Sequence, residues 1–555
     1  MRTPSLHNLP LHIFELILDY VTGNSRLKFE DSHLAPNVQA MLLMPLLAAY
    51  TDFTTPVYTR ILKTYEMQLS NIVDNDPRTP PELQNSFRGA GVPVHNYAKE
   101  LIIDVGLIDI CNGTASKELA CEPYVDCAFP LVRSIKLLFL QPAENEITSP
   151  DFKFNIYSFV RRIKEMTPLT RKIVISVMPR ASFFHWYPTY QLDILMAQLS
   201  QLAIDIEYDI ERQPIIIDQQ LSGLCSLSFS RFDSAYNAEQ VYQLAQRNAS
   251  TLKYLNIVGV ATLDIAGLIQ SIDGNYIQYH CLHTLKLHGS SLLGGSQHLV
   301  FPGAVPFPNL RCLRFGGGCS FGDDTLFRGN AATLESLTIF LDPVPVQVLR
   351  EYRVFTPVSH PRLQHIKLRI KSGSEANIFS SDAEYMRFVL GMGPNATVLD
   401  IFDLLDGPGL QSIVPVLGEH SNLQVLRMPL VSFPFWEVVS LVRALPLLSD
   451  LYTLMPAIEP WPTGVPKHKL PAYIVDKYAS VSKRFRCWHF EIAGTQEWGK
   501  LVRCILLLAL VCPNFDYANV GVMRRDVFMA HMKRMITTDG FRPYATRLRR
   551  LLFGG

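Results

Sequence analysis

Between Leu224 and Leu368 one short phrase returns six times: an apolar residue, two others, an apolar residue, one other, an apolar residue. The instances are Leu224-Leu227-Phe229, Leu252-Leu255-Ile257, Leu282-Leu285-Leu287, Leu310-Leu313-Phe315, Leu334-Leu337-Ile339 and Leu363-Ile366-Leu368. Their first residues are 28, 30, 28, 24 and 29 positions apart. Each phrase ends in strict alternation, the pattern of a short strand with one buried face. Each interval is long enough for a turn, a helix or irregular segment, and a return. Such a phrase repeated at 20–30 residues predicts a solenoid whose strands stack into one parallel sheet, an α/β architecture with helices outside.

The phrases resemble those of leucine-rich repeats in degenerate form. The family's Asn or Cys, three residues beyond the last apolar position, is mostly missing here, and with it the hydrogen-bonded ladder that regularises the turns. Weaker copies precede the core run: Ala98-Leu101-Ile103, Val132-Ile135-Leu137, Thr170-Ile173-Ile175 and Leu199-Leu202-Ile204. Others follow it: a poor one over Val398 to Leu404, then Leu423-Leu426-Met428, Leu448-Leu451, Phe485-Trp488-Phe490 and Cys512-Phe515-Tyr517. The array is therefore expected to span residues 96–555. The segments Asp342 to Pro361 and Pro456 to Tyr473 are rich in proline and read as surface excursions.

Before the array the pattern changes. Ile13, Phe14, Ile17, Leu18 and Val21 recur at helical spacing after Leu9-Pro10, and Gly23 closes that helix. A second helix is expected over Val38 to Tyr50, interrupted at Pro45, and a third from Asp52 through Val57, Tyr58, Ile61, Leu62, Tyr65 and Leu69. A stretch rich in Pro, Gly and Asp from Asn71 to His95 then marks a linker, which leaves residues 1–70 as a small helical region, 71–95 as linker and 96–555 as solenoid.

The stretches LPLHIFELILDYV and LLMPLLAAYTDFTTPVYTRIL resemble the two halves of an F-box. They depart from it by an insertion from Thr22 to Pro36 and by lacking the customary Cys and Trp around Ala48 to Phe53. With the repeats behind it, the chain is similar to the F-box-like leucine-rich-repeat proteins of fungi. That resemblance implies a non-catalytic substrate-recognition subunit of a Skp–cullin–F-box ubiquitin ligase. Leu9, Pro10, Ile13, Ile17, Leu18 and Val21 would meet a Skp-type adaptor, itself joined to a cullin, and the repeats would hold a protein client. The competing reading is a repeat scaffold with no ligase role, its first helices acting as the cap that solenoids need.

Composition agrees with a folded interaction protein. Of 555 residues 48% are hydrophobic and 18% charged, and 51 basic residues balance 50 acidic ones, so nothing points to nucleic acid or an anionic membrane as partner. The 10 cysteines form no CxxC pair, which favours reduced thiols in an intracellular, cytoplasmic or nuclear, protein. Met1 to Pro10 lacks the apolar core of a secretory signal. The longest apolar run, Cys504 to Cys512, falls short of a bilayer of roughly 30 Å and reads as a buried repeat helix.

No catalytic motif is present: GxSxG, GxxxxGK[ST], HExxH and strand-borne GxGxxG are all missing, so no enzyme, cofactor or metal is expected. The glycines of 294–297 and 316–322 read as loops leaving strands. His280, His283 and His288 read as edge or surface residues, and the terminal RLRRLLFGG as the end of a basic helix.

The residues flanking the two inner apolar positions of each phrase should share the solenoid's concave side. They are Thr284, Lys286 and His288, then Cys312, Arg314 and Gly316, then Ser336, Thr338 and Phe340, then His365, Lys367 and Arg369. Arg427 follows beyond the poorly defined repeat. Lys286, Arg314, Lys367, Arg369 and Arg427 are thus candidate client contacts, suited to an acidic or phosphorylated segment. The competing possibility is a solvated face whose counter-charges come from nearby loops.

Overall fold

A computed structural model describes residues 64–69, 94–121, 124–125, 127–140, 149–178, 189–200, 205–211, 222–230, 238–260, 263–271, 273–289, 305–317, 319–320, 330, 332–341, 360–370, 382–401, 410–420, 422–429, 431, 433–454, 465–466, 468–478, 481–491, 498–515, 517–520, 525–537, 540–549 and 551. The chain divides into two compact units. The first comprises residues 1–261 with 271–275, the second residues 262–270 with 276–555.

The first unit carries seven described strands: β1 (Thr64–Gln68), β2 (Glu100–Val105), β3 (Ser134–Leu140), β4 (Lys172–Met178), β5 (Asp205–Glu211), β6 (Ser226–Ser230) and β7 (Tyr254–Val260). Each pairs in parallel with the next. Parallel neighbours need long crossovers, and the described helices α1 (Leu107–Cys111), α2 (Thr114–Leu119), α3 (Phe152–Met166), α4 (Thr189–Ser200) and α5 (Ala238–Arg247) lie in them.

The second unit repeats the plan. Its main strands are β9 (Thr284–Gly289), β10 (Cys312–Gly317), β12 (Ser336–Leu341), β13 (His365–Ile370), β14 (Val398–Ile401), β15 (Val425–Met428), β16 (Asp450–Leu454), β17 (Cys487–Glu491) and β18 (Tyr517–Val520), again all parallel and in chain order. Two short strands, β8 (Leu263–Asp264) and β11 (Cys319–Ser320), form a separate parallel pair. The helices are α6 (Ile265–Ile269), α7 (Asp382–Met392), α8 (Leu410–Gly418), α9 (Phe435–Ala444), α10 (Leu470–Lys477), α11 (Trp498–Val511), α12 (Arg525–Thr537) and α13 (Ala545–Leu548). Each unit is a leucine-rich-repeat-like α/β solenoid.

The phrase explains the register. Its middle residue forms one column, Leu285–Leu313–Leu337–Ile366–Leu399–Leu426–Leu451–Trp488 in the second unit and Leu227–Leu255 in the first. All of these are buried. Burying a large apolar side chain is worth about 1.5–3 kcal/mol, so a slip of one residue, which would turn the column outward, is strongly disfavoured. The run from Cys504 to Cys512 is fully buried, and all of it but Cys512 lies within α11. Among the described residues no helix is long and apolar enough to cross a membrane.

Several local expectations change. Residues 64–68 form β1 instead of ending a third helix; the sheet therefore begins before the residue 96 expected from the phrases. Tyr65 and Leu69 are four apart, a spacing that a helical face and a strand face share, and the ladder offered by β2 settles the choice. Leu199 belongs to α4, and the strand that follows starts at Asp205 with Ile206 opposite Ile173. In the poor repeat the phrase is Ala396-Leu399-Ile401, all buried, its first position disguised by alanine. In the last repeat Ala518 stands opposite Trp488 and Tyr517 opposite Cys487, so Tyr517 is off the buried column.

The missing asparagine ladder has a substitute. Asn309, Asn395 and Asn514 each follow a proline and precede a phrase. Each side-chain amide donates to a carbonyl of the preceding turn, His280 O at 2.8 Å, Pro361 O at 3.0 Å and Lys483 O at 2.6 Å. In the first unit the Thr251 hydroxyl donates to Leu224 O at 2.7 Å from the equivalent place. The buried Asn248 satisfies both the Leu224 N–H and the Leu244 carbonyl. Near α1 and α2, Gly113 has φ +80° and sits where a Cβ would touch Asn155, whose amide donates to Cys111 O.

Candidate interaction face

On the second unit the side chains alternating with the buried column form a polar row, each directly beside its register partner. In order the row reads Lys286, Arg314, Thr338, Lys367, Asp400, Arg427, Tyr452 and His489. Strands about 4.8 Å apart bring adjacent members within reach of one another. Four of the five expected cations therefore stand in one row. Arg369 lies on the next row, beside Phe340, and its side chain is outside the described residues. Leu9, Pro10, Ile13, Ile17, Leu18 and Val21 also lie outside the described residues.

Asp400, from the repeat whose phrase was obscured, is the acidic member. Its side chain is only 7% exposed, and its Oδ2 is 3.7 Å from Lys367 Nζ and 3.8 Å from Arg427 Nη1. The counter-charge for these two cations comes from the strand between them. At such a distance an ion pair is worth about 4 kcal/mol of attraction at an effective dielectric constant near 20, offset by the cost of desolvating the carboxylate.

Aromatic rings link the remaining members. Arg314 lies over the Phe340 ring at 4.6 Å and Lys367 approaches the same ring at 6.0 Å. Arg427 lies over Tyr452 at 5.0 Å, and Tyr452 stacks on His489 with centroids 4.1 Å apart and planes 7° from parallel. A guanidinium stacked by its face keeps its in-plane N–H groups directed outward, the geometry that pairs bidentately with a carboxylate or phosphate. Gly316 makes this packing possible. A Cβ there would come within 2.4 Å of the Phe340 carbonyl oxygen and 2.9 Å of His288 Nδ1.

Burial shapes the titration of this face. It pushes the Tyr452 phenol up, opposed by Arg427, and the Cys312 thiol up, opposed by a hydrogen bond from Thr284. It pushes His489 down to about 4, with Asp450 opposing and Arg427 assisting, so His489 is a neutral imidazole at neutral pH. His365 is lowered by burial and by Arg427.

Sequence patterning found the cations and missed Asp400, Tyr452 and His489. The signal for them was the phrase itself, read with alanine admitted at its first position and continued through Trp488. His280 and His283 are exposed and His288 half-buried.

No family model matches the sequence, and no curated protein matches it. Among solved structures the chain is similar to TLR13 in the crystal structure of a TLR13–ssRNA13 complex, at 12% identity and a TM-score of 0.37, covering 87% of this chain and 61% of that one. It is also similar to a chain of the Rad7 and Elc1 complex in yeast, at 14% identity and a TM-score of 0.31, covering 73% of this chain and 97% of that one.

Proposed function

We propose that this protein is a non-catalytic recognition subunit that holds an acidic or phosphorylated protein segment along the polar row of its second unit. The observation that carries the reading is the row itself: four cations, Lys286, Arg314, Lys367 and Arg427, against one carboxylate, Asp400. On a chain whose net charge is +1, that surplus is local. Arg314 is the central anchor, because it is exposed and preoriented over Phe340. The F-box-like residues Leu9 to Val21 would couple the client to a Skp-type adaptor and cullin, making ubiquitin transfer to the client a matter of proximity.

A scaffold without a ligase role is the second reading. In its favour, β1 is an edge strand among those described, and residues 1–63 join it directly. A cap over that edge would serve the array itself.

Co-purification from the native host separates the two. Recovery of a Skp-type adaptor with the intact chain, lost in Ile13→Asp and on removal of residues 1–63, supports the ligase reading. No adaptor with the intact chain leaves the scaffold. The truncation ends at 63 because removal to 70 would also strip β1 from the sheet. Independently, reversing Arg314, Lys367 and Arg369 to Glu should abolish client recovery and leave adaptor recovery unchanged; clients retained by that variant would refute the row as their site.

A further inference from the structure

Beyond the cations, the same face ends in a group of different chemistry. Asp450 on β16 and Cys487 on β17 are direct register partners, and His489 lies two residues along β17 on the same face. One ligand-type atom from each, a carboxylate oxygen, the sulfur and a ring nitrogen, lies within 4.8 Å of the other two. This group stands alone of its kind among the described residues.

We propose that Asp450, Cys487 and His489 form a binding site for a single zinc(II) ion, with one coordination position left for water or a partner's donor. The donor set of one thiolate, one imidazole and one carboxylate is what a borderline-soft divalent ion selects, and it suits neither magnesium nor calcium. With Zn–S near about 2.3 Å and Zn–N or Zn–O near about 2.0 Å, tetrahedral ligands stand roughly 3.3–3.7 Å apart, so closure from the present spacing takes about 1 Å of side-chain rotation.

The surroundings are those of a site held in place. The Ser449 hydroxyl donates to Asp450 Oδ2, and Tyr452 stacked on His489 orients the imidazole. On the opposite, buried face Trp488 Nε1 donates to Thr453 Oγ1 at 3.1 Å, tying the two strands together behind the ligands. Such outer contacts orient ligands in known metal sites. The ligating forms are the Cys487 thiolate, the neutral His489 imidazole and the Asp450 carboxylate. Binding releases one proton, that of the Cys487 thiol, to solvent; no electron is transferred. Arg427 is the opposing charge nearby, and its position between Asp400 and Tyr452 commits it elsewhere.

The test uses the full-length chain, stripped with chelator and titrated with cobalt(II). A thiolate-to-cobalt charge-transfer band should appear, saturate at about one ion per chain and vanish on adding zinc. Cys487→Ser should abolish the band, and Asp450→Asn should weaken cobalt affinity about tenfold or more. His489→Gln should do likewise, but His489 is buried, so Cys487→Ser, at a half-buried position, is the deciding variant. Zinc should raise the melting temperature of the parent chain and leave that of Cys487→Ser unchanged. A band that persists in Cys487→Ser would assign the metal to another of the ten cysteines, and no band in the parent chain would show that the triad binds no such ion. Either result overturns the proposal.

Discussion

The polar faces of the two units are built on the same strand register and resolve their charges in opposite ways. On the first unit Lys172 meets Glu207 and Lys253 meets Asp205, each at 2.7 Å, with the Lys253–Asp205 pair more than half exposed on both sides. The Lys253–Asp205 pair stands in water and is worth about 0–1 kcal/mol. On the second unit one nearly buried carboxylate, Asp400, lies between Lys367 and Arg427 at longer distances. The first arrangement leaves little field. The second ties neighbouring repeats to one buried group. What separates them is burial of the acid and whether it is shared.

The largest effect should fall on what the units have in common. Leu227→Ala in the first and Leu285→Ala in the second should each cost roughly 2–5 kcal/mol, through lost burial and a residual cavity. Thr284→Ala, beside Leu285 on the other face, should stay within about 0.5 kcal/mol. Hydrogen exchange of β6–β7 and of β9–β10 reads the two units separately. A costly Thr284→Ala would show that the face assignment is reversed.

Next in size is the contrast between acids. Asp400→Ala should cost about 2–3 kcal/mol, below the full penalty of a broken buried pair because its two cations are partly hydrated. Asp205→Ala should cost no more than about 1 kcal/mol. Denaturant midpoints with a double-mutant cycle through Arg427 measure the coupling. Equal losses at the two aspartates would erase the distinction between shared and paired charge. In salt titrations the Lys253–Asp205 contribution should fade first, since exposed pairs are the more screened.

The last comparison tests the aromatic links of the row. Gly316→Val should cost about 1–3 kcal/mol, because the new atoms meet the Phe340 backbone, which cannot swing aside. It should also weaken an acidic client by displacing Phe340 from beneath Arg314. Full client binding in a stably folded Gly316→Val chain would show that Arg314 needs no ring to orient it.

Much of the fold was legible in the chain. Six phrases in phase imply a buried column, and the column is there from Leu227 to Leu255 and from Leu285 to Trp488. Apolar spacing is a local property, and burial acts on it directly. The row of cations followed from the same alternation, since residues beside an inward leucine must point the other way.

Where two local rules agree, the chain alone was ambiguous, and the tertiary structure decided. Tyr65 and Leu69 satisfy helix and strand alike, and Leu199 satisfies a helical stripe as well as the phrase; pairing with β2 and β4 chose between them. Likewise, that Asp400 stands between Lys367 and Arg427, or that Asp450 faces Cys487, is a matter of register across crossovers of 23 to 32 residues. No local periodicity encodes which residues meet after such a loop. That is set by the stacking of whole turns, whose buried leucines align first and carry the polar residues into place.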